Sequence, residues 1–275
     1  MAAQNGPLFC SVLLDSMKKL ASGNHSISYK CIIQSDAYSE MPGWQTLEVS
    51  VPQPSSKSLV CYPSFWHGNQ MNKVFSHLQK EDDDTILTVC HQDIAMLHRG
   101  WDDILVSKIK KRTQIAGVEY SRNSYPRHTN FPCAIMFATP VGIYKKVNPD
   151  MSVDTVTNKH GHEELRQVLI NDKSESDKYG FPIGSTVIHD AGWNLPHAYR
   201  EQGYGGFVFH HEEHLFDISG KRNKAPEKLQ PPFEVWYYES KPFAIHAAGS
   251  SKNYEKRKRL FDHWTQFVTD YIEKA

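Results

Sequence analysis

The stretch GFVFHHEEHLF, Gly206 to Phe216, carries three histidines and two glutamates in five consecutive positions, His210 to His214. Imidazole is the commonest metal-binding side chain and carboxylates often join it, so His210, His211 and His214 are candidate ligands. The zinc-protease motif needs His-Glu-x-x-His, and counting from His211-Glu212 puts Leu215 where the second histidine should stand. That spacing excludes the motif. The cluster needs a partner elsewhere in the chain, or it is a solvated strand end. A second candidate lies in TILTVCHQDIAML, where Cys90 to Asp93 follow directly on an apolar run. His91 and Asp93 are two residues apart, so a persisting strand points them to one side, where the pair could hold a divalent cation. The competing reading is a turn in which Asp93 caps the next helix.

The chain of 275 residues, 39% hydrophobic and 12% aromatic, suffices for one large domain or two small ones with a full core. Its 31 basic and 31 acidic residues cancel, which argues against nucleic-acid binding by bulk electrostatics. Any anionic ligand must be met locally. Five cysteines without framework spacing sit mostly in apolar runs such as YKCII and FPCAIMF, the pattern of reduced thiols in a reducing compartment. Leu8 to Leu14 has no basic residue before it and no cleavage site after it, and no apolar run approaches the ~20 residues of a membrane span. A soluble cytoplasmic protein with neither signal peptide nor transmembrane segment is the expectation.

The segments that must hold these residues alternate between helical and strand patterns. Leu8, Val12, Leu13, Met17 and Leu20 recur at helical spacing, and ISYKCIIQSD and TLEVSV read as strands. Met71, Val74, Phe75 and Leu78 mark a second helix, after which TILTVC reads as a central parallel strand buried on both faces. GWDDILVSKIKK is helical, QIAGVEY a strand, CAIMFATPVGIYKKV a strand entering a helix, and HEELRQVLI a helix. WNLPHAYREQGY is a helix that tolerates Pro196 in its first turn, GGFVFHH a strand. FEVWYYE and FAIHAAG are strands before a final helix with Leu260, Phe261, Trp264, Phe267, Val268, Tyr271 and Ile272 on one face.

In chain order, IIQSDAYSE, HGNQMNKVFSHL, HQD, HRGWDDIL, FPCAIMFATPVGIYKKV and HDAGWNLPHAYREQGY together resemble the glycosyltransferases of the GT-A fold, in particular the family-2 group. Those enzymes carry Asp-x-Asp at the strand end, and HQD is similar to it, with His91 in place of the first aspartate and Asp93 matching the second. The resemblance implies a single α/β domain over residues 1–275, Rossmann-like, with a mostly parallel central sheet flanked by helices. About residues 1–120 would bind the nucleotide sugar and about 121–275 the acceptor, the last helix included. Asp36, Asn69, Asn72, His91 and Asp93 are the implied donor contacts, Asp93 through a Mn²⁺ or Mg²⁺ ion that bridges the diphosphate. Asp190 is the implied base, ahead of the helix ending in REQGY. Counting back from Gly203 sets the family's acid nearer Ala191 or Gly192, and Asp190 is the only carboxylate between Asp177 and Glu201.

FAIHAAGSSK reproduces a His-x-x-Gly-x-x-Lys spacing of one subgroup, which implies His246 as a late metal ligand and Gly249 and Lys252 on the diphosphate. A small loop leading into a helix suits an anion. His91, His211 and His214 stand as alternative metal ligands, and Trp193 and His210 as acceptor contacts. Lys256 to Arg259 form a solvated face or guide a phosphate-rich donor. The implied activity is metal-dependent transfer of a hexosyl or pentosyl group from a nucleotide-diphosphate sugar to a hydroxyl of a glycan or glycoconjugate acceptor, with inversion, Asp190 taking the proton. Because the family's usual first strand has no counterpart in MAAQNGP, an inactive GT-A-like carbohydrate-binding protein is a rival reading. A metal-dependent hydrolase using His210, His211 and His214 with Asp190 is a third.

Overall fold

The computed structural model describes residues 6–34, 43–49, 62–120, 127–213, 233–247 and 254–275. In chain order the elements are α1 (Gly6–Leu20), β1 (Lys30–Gln34), β2 (Gln45–Val49), α2 (Tyr62–Leu78), β3 (Ile86–Cys90), β4 (Ile94–Met96) and α3 (Trp101–Lys108). There follow β5 (Thr113–Val118), β6 (Met136–Pro140), α4 (Val141–Val147), β7 (Thr155–Thr157), β8 (Glu163–Leu165), β9 (Gln167–Leu169) and α5 (Lys173–Tyr179). The last are β10 (Thr186–Ile188), α6 (Leu195–Glu201), β11 (Gly205–Glu213), β12 (Phe233–Tyr238), β13 (Lys241–Ala247) and α7 (Tyr254–Lys274). The class is mixed α/β. Among the described residues no helix is long and apolar enough to cross a membrane.

Two compact units are present, each assembled from separated stretches of chain. The first contains Met1–Leu47, His91–Leu105 and Phe209–Ala275; the second contains Glu48–Cys90 and Val106–Val208. In the first unit β11, β12, β13 and β4 pair in that order, every ladder antiparallel. A two-residue turn, Glu239 and Ser240, both at positive φ, joins β12 to β13, the geometry that matches the twist of a hairpin. Helix α1 packs on α7 through Phe9, whose ring meets Phe261 edge-on at 5.6 Å and Trp264 at 5.5 Å. The buried stripe of α1 therefore begins at Phe9, and Leu8, expected on that face, is 38% exposed. Ser16, fully buried, accepts the backbone N–H of Met96 at 3.0 Å and donates to the Leu13 carbonyl. The Trp101 indole donates to the Met17 carbonyl at 3.0 Å, so α1 holds both β4 and the start of α3.

In the second unit β6 lies between β3 and β5, and both ladders are antiparallel. Gly117 of β5 is obligatory, because a Cβ there would stand 2.3 Å from the Met136 carbonyl oxygen. This corrects the reading of TILTVC as a central parallel strand: β3 runs against β6, and all five of its residues are only half-buried. An apolar run reports burial and carries no information on the direction of the neighbouring strand. HEELRQVLI is likewise no helix. It forms β8 and β9, which pair antiparallel with β7 and β10. Those cross-strand partners outweigh its helical propensity. The stripe on α2 is formed by Met71, Val74 and Leu78, and that on α7 by Phe261, Trp264, Val268 and Ile272.

Candidate metal centre

The polar residues that follow β3 do not continue the strand. His91 to Asp93 make a turn, closed by the Ile94 N–H reaching the His91 carbonyl at 3.4 Å, and the chain then enters β4. The turn, and not the alternation of a strand, brings His91 Nδ1 within 3.5 Å of Asp93 Oδ1. From the other side β13 pairs with β4 so that His246 stands opposite Ile94, and the Ala247 N–H donates to the Asp93 carbonyl at 2.9 Å. His246 Nε2 then lies 3.2 Å from Asp93 Oδ1. On its far side β12 sets Glu234 opposite His246, with Glu234 Oε2 at 2.6 Å from Nδ1.

Asp93 and His246 are buried, their side chains 9% and 8% exposed, whereas the His91 side chain is 29% exposed and forms the wall nearest solvent. Burial works to raise the Asp93 pKa, but the charge on His246, with hydrogen bonds from His246 and His91, holds the carboxyl well below its usual range. Burial likewise works to lower His246. The charge of Asp93 and hydrogen bonds to Asp93 and Glu234 push it up to about 10. Two buried carboxylates thus flank one imidazolium, and the trio keeps a net negative charge.

His91, Asp93 and His246 each offer a ligand atom, and these atoms lie within 4.8 Å of one another. Adjacent donors of an octahedral ion with bonds of ~2.1 Å are ~3.0 Å apart and opposite ones ~4.2 Å. The separations of 3.2 and 3.5 Å to Asp93 suit one small cation with little rearrangement. One carboxylate with two imidazoles is a ligand set for Mn²⁺, Fe²⁺, Co²⁺ or Zn²⁺ more than for Mg²⁺, which favours oxygen donors. The other such group among the described residues, His25, Asp102 and Asp103, is a clip with His25 exposed and Asp102 buried. Ser22 bonds Asp102 through N–H and Oγ, while Asn24 and His25 bond Asp103, tying the loop after α1 to α3.

Comparison of the chain with protein-family models and with curated proteins gives no match.

Of the remaining sequence candidates, Asn69, Asn72, Asp190 and Trp193 belong to the second unit. Asp190, in the second unit between β10 and α6, is buried. Its Oδ2 receives the Arg127 guanidinium at 2.8 and 2.5 Å and its Oδ1 the Ala191 N–H at 2.8 Å. Arg127 lies 4.7 Å over the Tyr120 ring, and Tyr120 donates to the Ala191 carbonyl. Trp193 stacks on His189 at 3.9 Å, nearly parallel; His189 is itself held between Asp154 at 2.9 Å and the Tyr179 hydroxyl at 3.0 Å. Asn72 is engaged within its own unit: its amide bonds Asp150 and Ser152 and accepts from the Met151 N–H. Asn69 donates back to the Phe65 carbonyl of its own helix. Asp36, His214, Gly249 and Lys252 lie outside the described residues. His210 and His211 pair through β11 with Tyr237 and Trp236, and their side chains are outside the description too.

Sequence reasoning missed Glu234 and Arg127. For Glu234 the signal was half present: two strand patterns around a short turn. Counting back from the Tyr238–Lys241 pair without interruption sets Glu234 opposite Ile245, on the face away from His246. A β-bulge between Trp236 and Tyr237 shifts the register by one and turns Glu234 onto His246.

Proposed function

We propose that this chain is a metal-dependent glycosyltransferase that moves a sugar from a nucleotide-diphosphate donor to a hydroxyl of a glycan or glycoconjugate. The observation that carries this reading is the His91–Asp93–His246 cluster, at the turn where the resemblance to GT-A enzymes puts their metal motif. A divalent cation bound there neutralises charge on a departing diphosphate. Asp93, kept ionised, supplies the anionic ligand, His246 a buried imidazole of fixed orientation, and His91 the wall nearest solvent. The imidazoles favour Mn²⁺ over Mg²⁺.

The resemblance alone assigns proton removal from the acceptor to Asp190, and inversion with it. Arg127, paired with Asp190, favours its ionised form, the form a base needs. Trp193, backed by His189, offers an aromatic face of the kind that stacks on a sugar.

The test is release of nucleotide from UDP-, GDP-, TDP- and CMP-sugars with and without Mn²⁺, wild type against Asp93→Asn. Metal-dependent release from one donor is expected, with the variant slower by at least about 100-fold, the worth of a few kcal/mol of charge stabilisation. Equal turnover by the variant overturns the metal assignment. Silence across the panel, with no donor binding by calorimetry, leaves a carbohydrate-binding module or a metal-dependent hydrolase.

A further inference from the structure

We propose that Glu234 is a positioning residue for this centre: it fixes the tautomer of His246, with the proton on Nδ1, and so reserves Nε2 for a cation. The inference rests on reading His91, Asp93 and His246 as a cation site. A neutral imidazole has one N–H and one lone pair, and the hydrogen bond at one nitrogen decides which is which. An ionised carboxylate only accepts. With Glu234 Oε2 at 2.6 Å, Nδ1 is a donor; without a cation Nε2 also carries a proton, which it shares with Asp93 Oδ1 at 3.2 Å, and when a cation displaces that proton the lone pair falls on Nε2, on the Asp93 side. Carboxylates behind metal-binding histidines act in this way, orienting the ring and raising its basicity.

The backbone makes the arrangement rigid. Glu234 and His246 face each other across the β12–β13 ladder, and His246 faces Ile94 across the β13–β4 ladder. The Trp236 ring stands 6.2 Å from the His246 ring, tilted by 33°. Glu234 and His246 are both buried, so solvent offers Nδ1 no ready substitute for the carboxylate. The bulge that turns Glu234 inward is then part of the site: the regular register would have placed Ile245 opposite Glu234 instead.

The experiment is Mn²⁺ titration calorimetry of wild type, Glu234→Gln, Glu234→Ala and Asp93→Asn. Circular dichroism melts establish that each is folded, and ¹⁵N–¹H histidine spectra of the Zn²⁺-loaded proteins report the tautomer. Glu234→Ala is expected to weaken Mn²⁺ binding about 10- to 100-fold, the usual loss for such a partner. Glu234→Gln keeps an acceptor carbonyl and is expected to fall between the two. Wild type should show the His246 proton on Nδ1. A purely structural Glu234 would lower the melting temperature and leave the affinity and the tautomer unchanged, and that result overturns the proposal. Should the alanine variant not fold, the glutamine variant and the wild-type tautomer decide, and a proton on Nε2 in loaded wild type refutes it. Failure of wild type to bind Mn²⁺ or Zn²⁺ removes the cation reading itself, and the proposal with it. Binding that is lost in Asp93→Asn but unchanged in the Glu234 variants defeats the proposal alone.

Discussion

His246 and His91 belong to one cluster but do different work. His246 sits between Asp93 and Glu234, and its removal leaves two buried carboxylates facing each other without their cation. Breaking a buried pair from one side typically costs about 3–5 kcal/mol, because the remaining charge is uncompensated. His246→Ala is therefore expected to lose about that much unfolding free energy in urea titrations of metal-free protein. His91 is more exposed and its removal uncovers no such pair, so His91→Ala should lose less than about 1 kcal/mol. The same His91 variant should bind Mn²⁺ more weakly if it is a ligand. Equal stability of the two variants would mean that the buried trio is not the stabilising unit described here.

These side chains meet because of how α1, β4, β12 and β13 are joined. Strand β4 is three residues long, and all three pair with β13 while Ser16 of α1 takes the Met96 N–H. An orphaned buried N–H costs about 1–3 kcal/mol. Ser16→Ala removes the acceptor without adding bulk, so a loss in that range by chemical denaturation is expected, with weaker Mn²⁺ binding because β4 follows directly on Asp93. A variant as stable as wild type would show that Met96 finds another acceptor. The hairpin shows the same dependence on a single joint. One extra residue in β13, Phe243 at the bulge, decides whether Glu234 or its neighbour meets His246.

At the scale of a whole unit, buried and half-buried histidines of the second unit set a response to acid. His128 is buried there and pushed down to about 3 by that burial, with the charges of Arg200 and Arg127 acting the same way. His197 is pushed down to about 4, again chiefly by burial. Both are neutral in the folded chain, whereas the unfolded histidines take up protons near 6.5. The unfolded state thus binds more protons in acid, so stability is complete above about pH 6.5 and falls as the pH drops toward 3. Melting temperature should decline from pH 7 to pH 4. His128→Phe keeps an aromatic ring beside Tyr120 and removes one of the histidines whose pKa burial lowers. Its melting temperature should decline less over the same range, and an identical pH profile would place the acid sensitivity elsewhere.

Much of the local structure was legible in the residue order, because periodicity is a local property. The stripes of α2 and α7, the strand-to-helix passage at Met136–Val147 and the Pro-tolerant start of α6 follow from spacing alone. So did the polar break after Cys90, with its two candidate ligands. What spacing does not encode is which strand lies beside which, and in which direction. TILTVC looked central and parallel yet lies half-buried against an antiparallel neighbour, and HEELRQVLI became two strands because β7 and β10 were there to pair with it. The partner of Asp190 is Arg127, 63 residues away, and the partner of His246 is Glu234, brought round by a bulge with no signature in the sequence. Residue types thus settled which chemistry was on offer. Strand register and long-range pairing, both non-local, decided which of those residues touch.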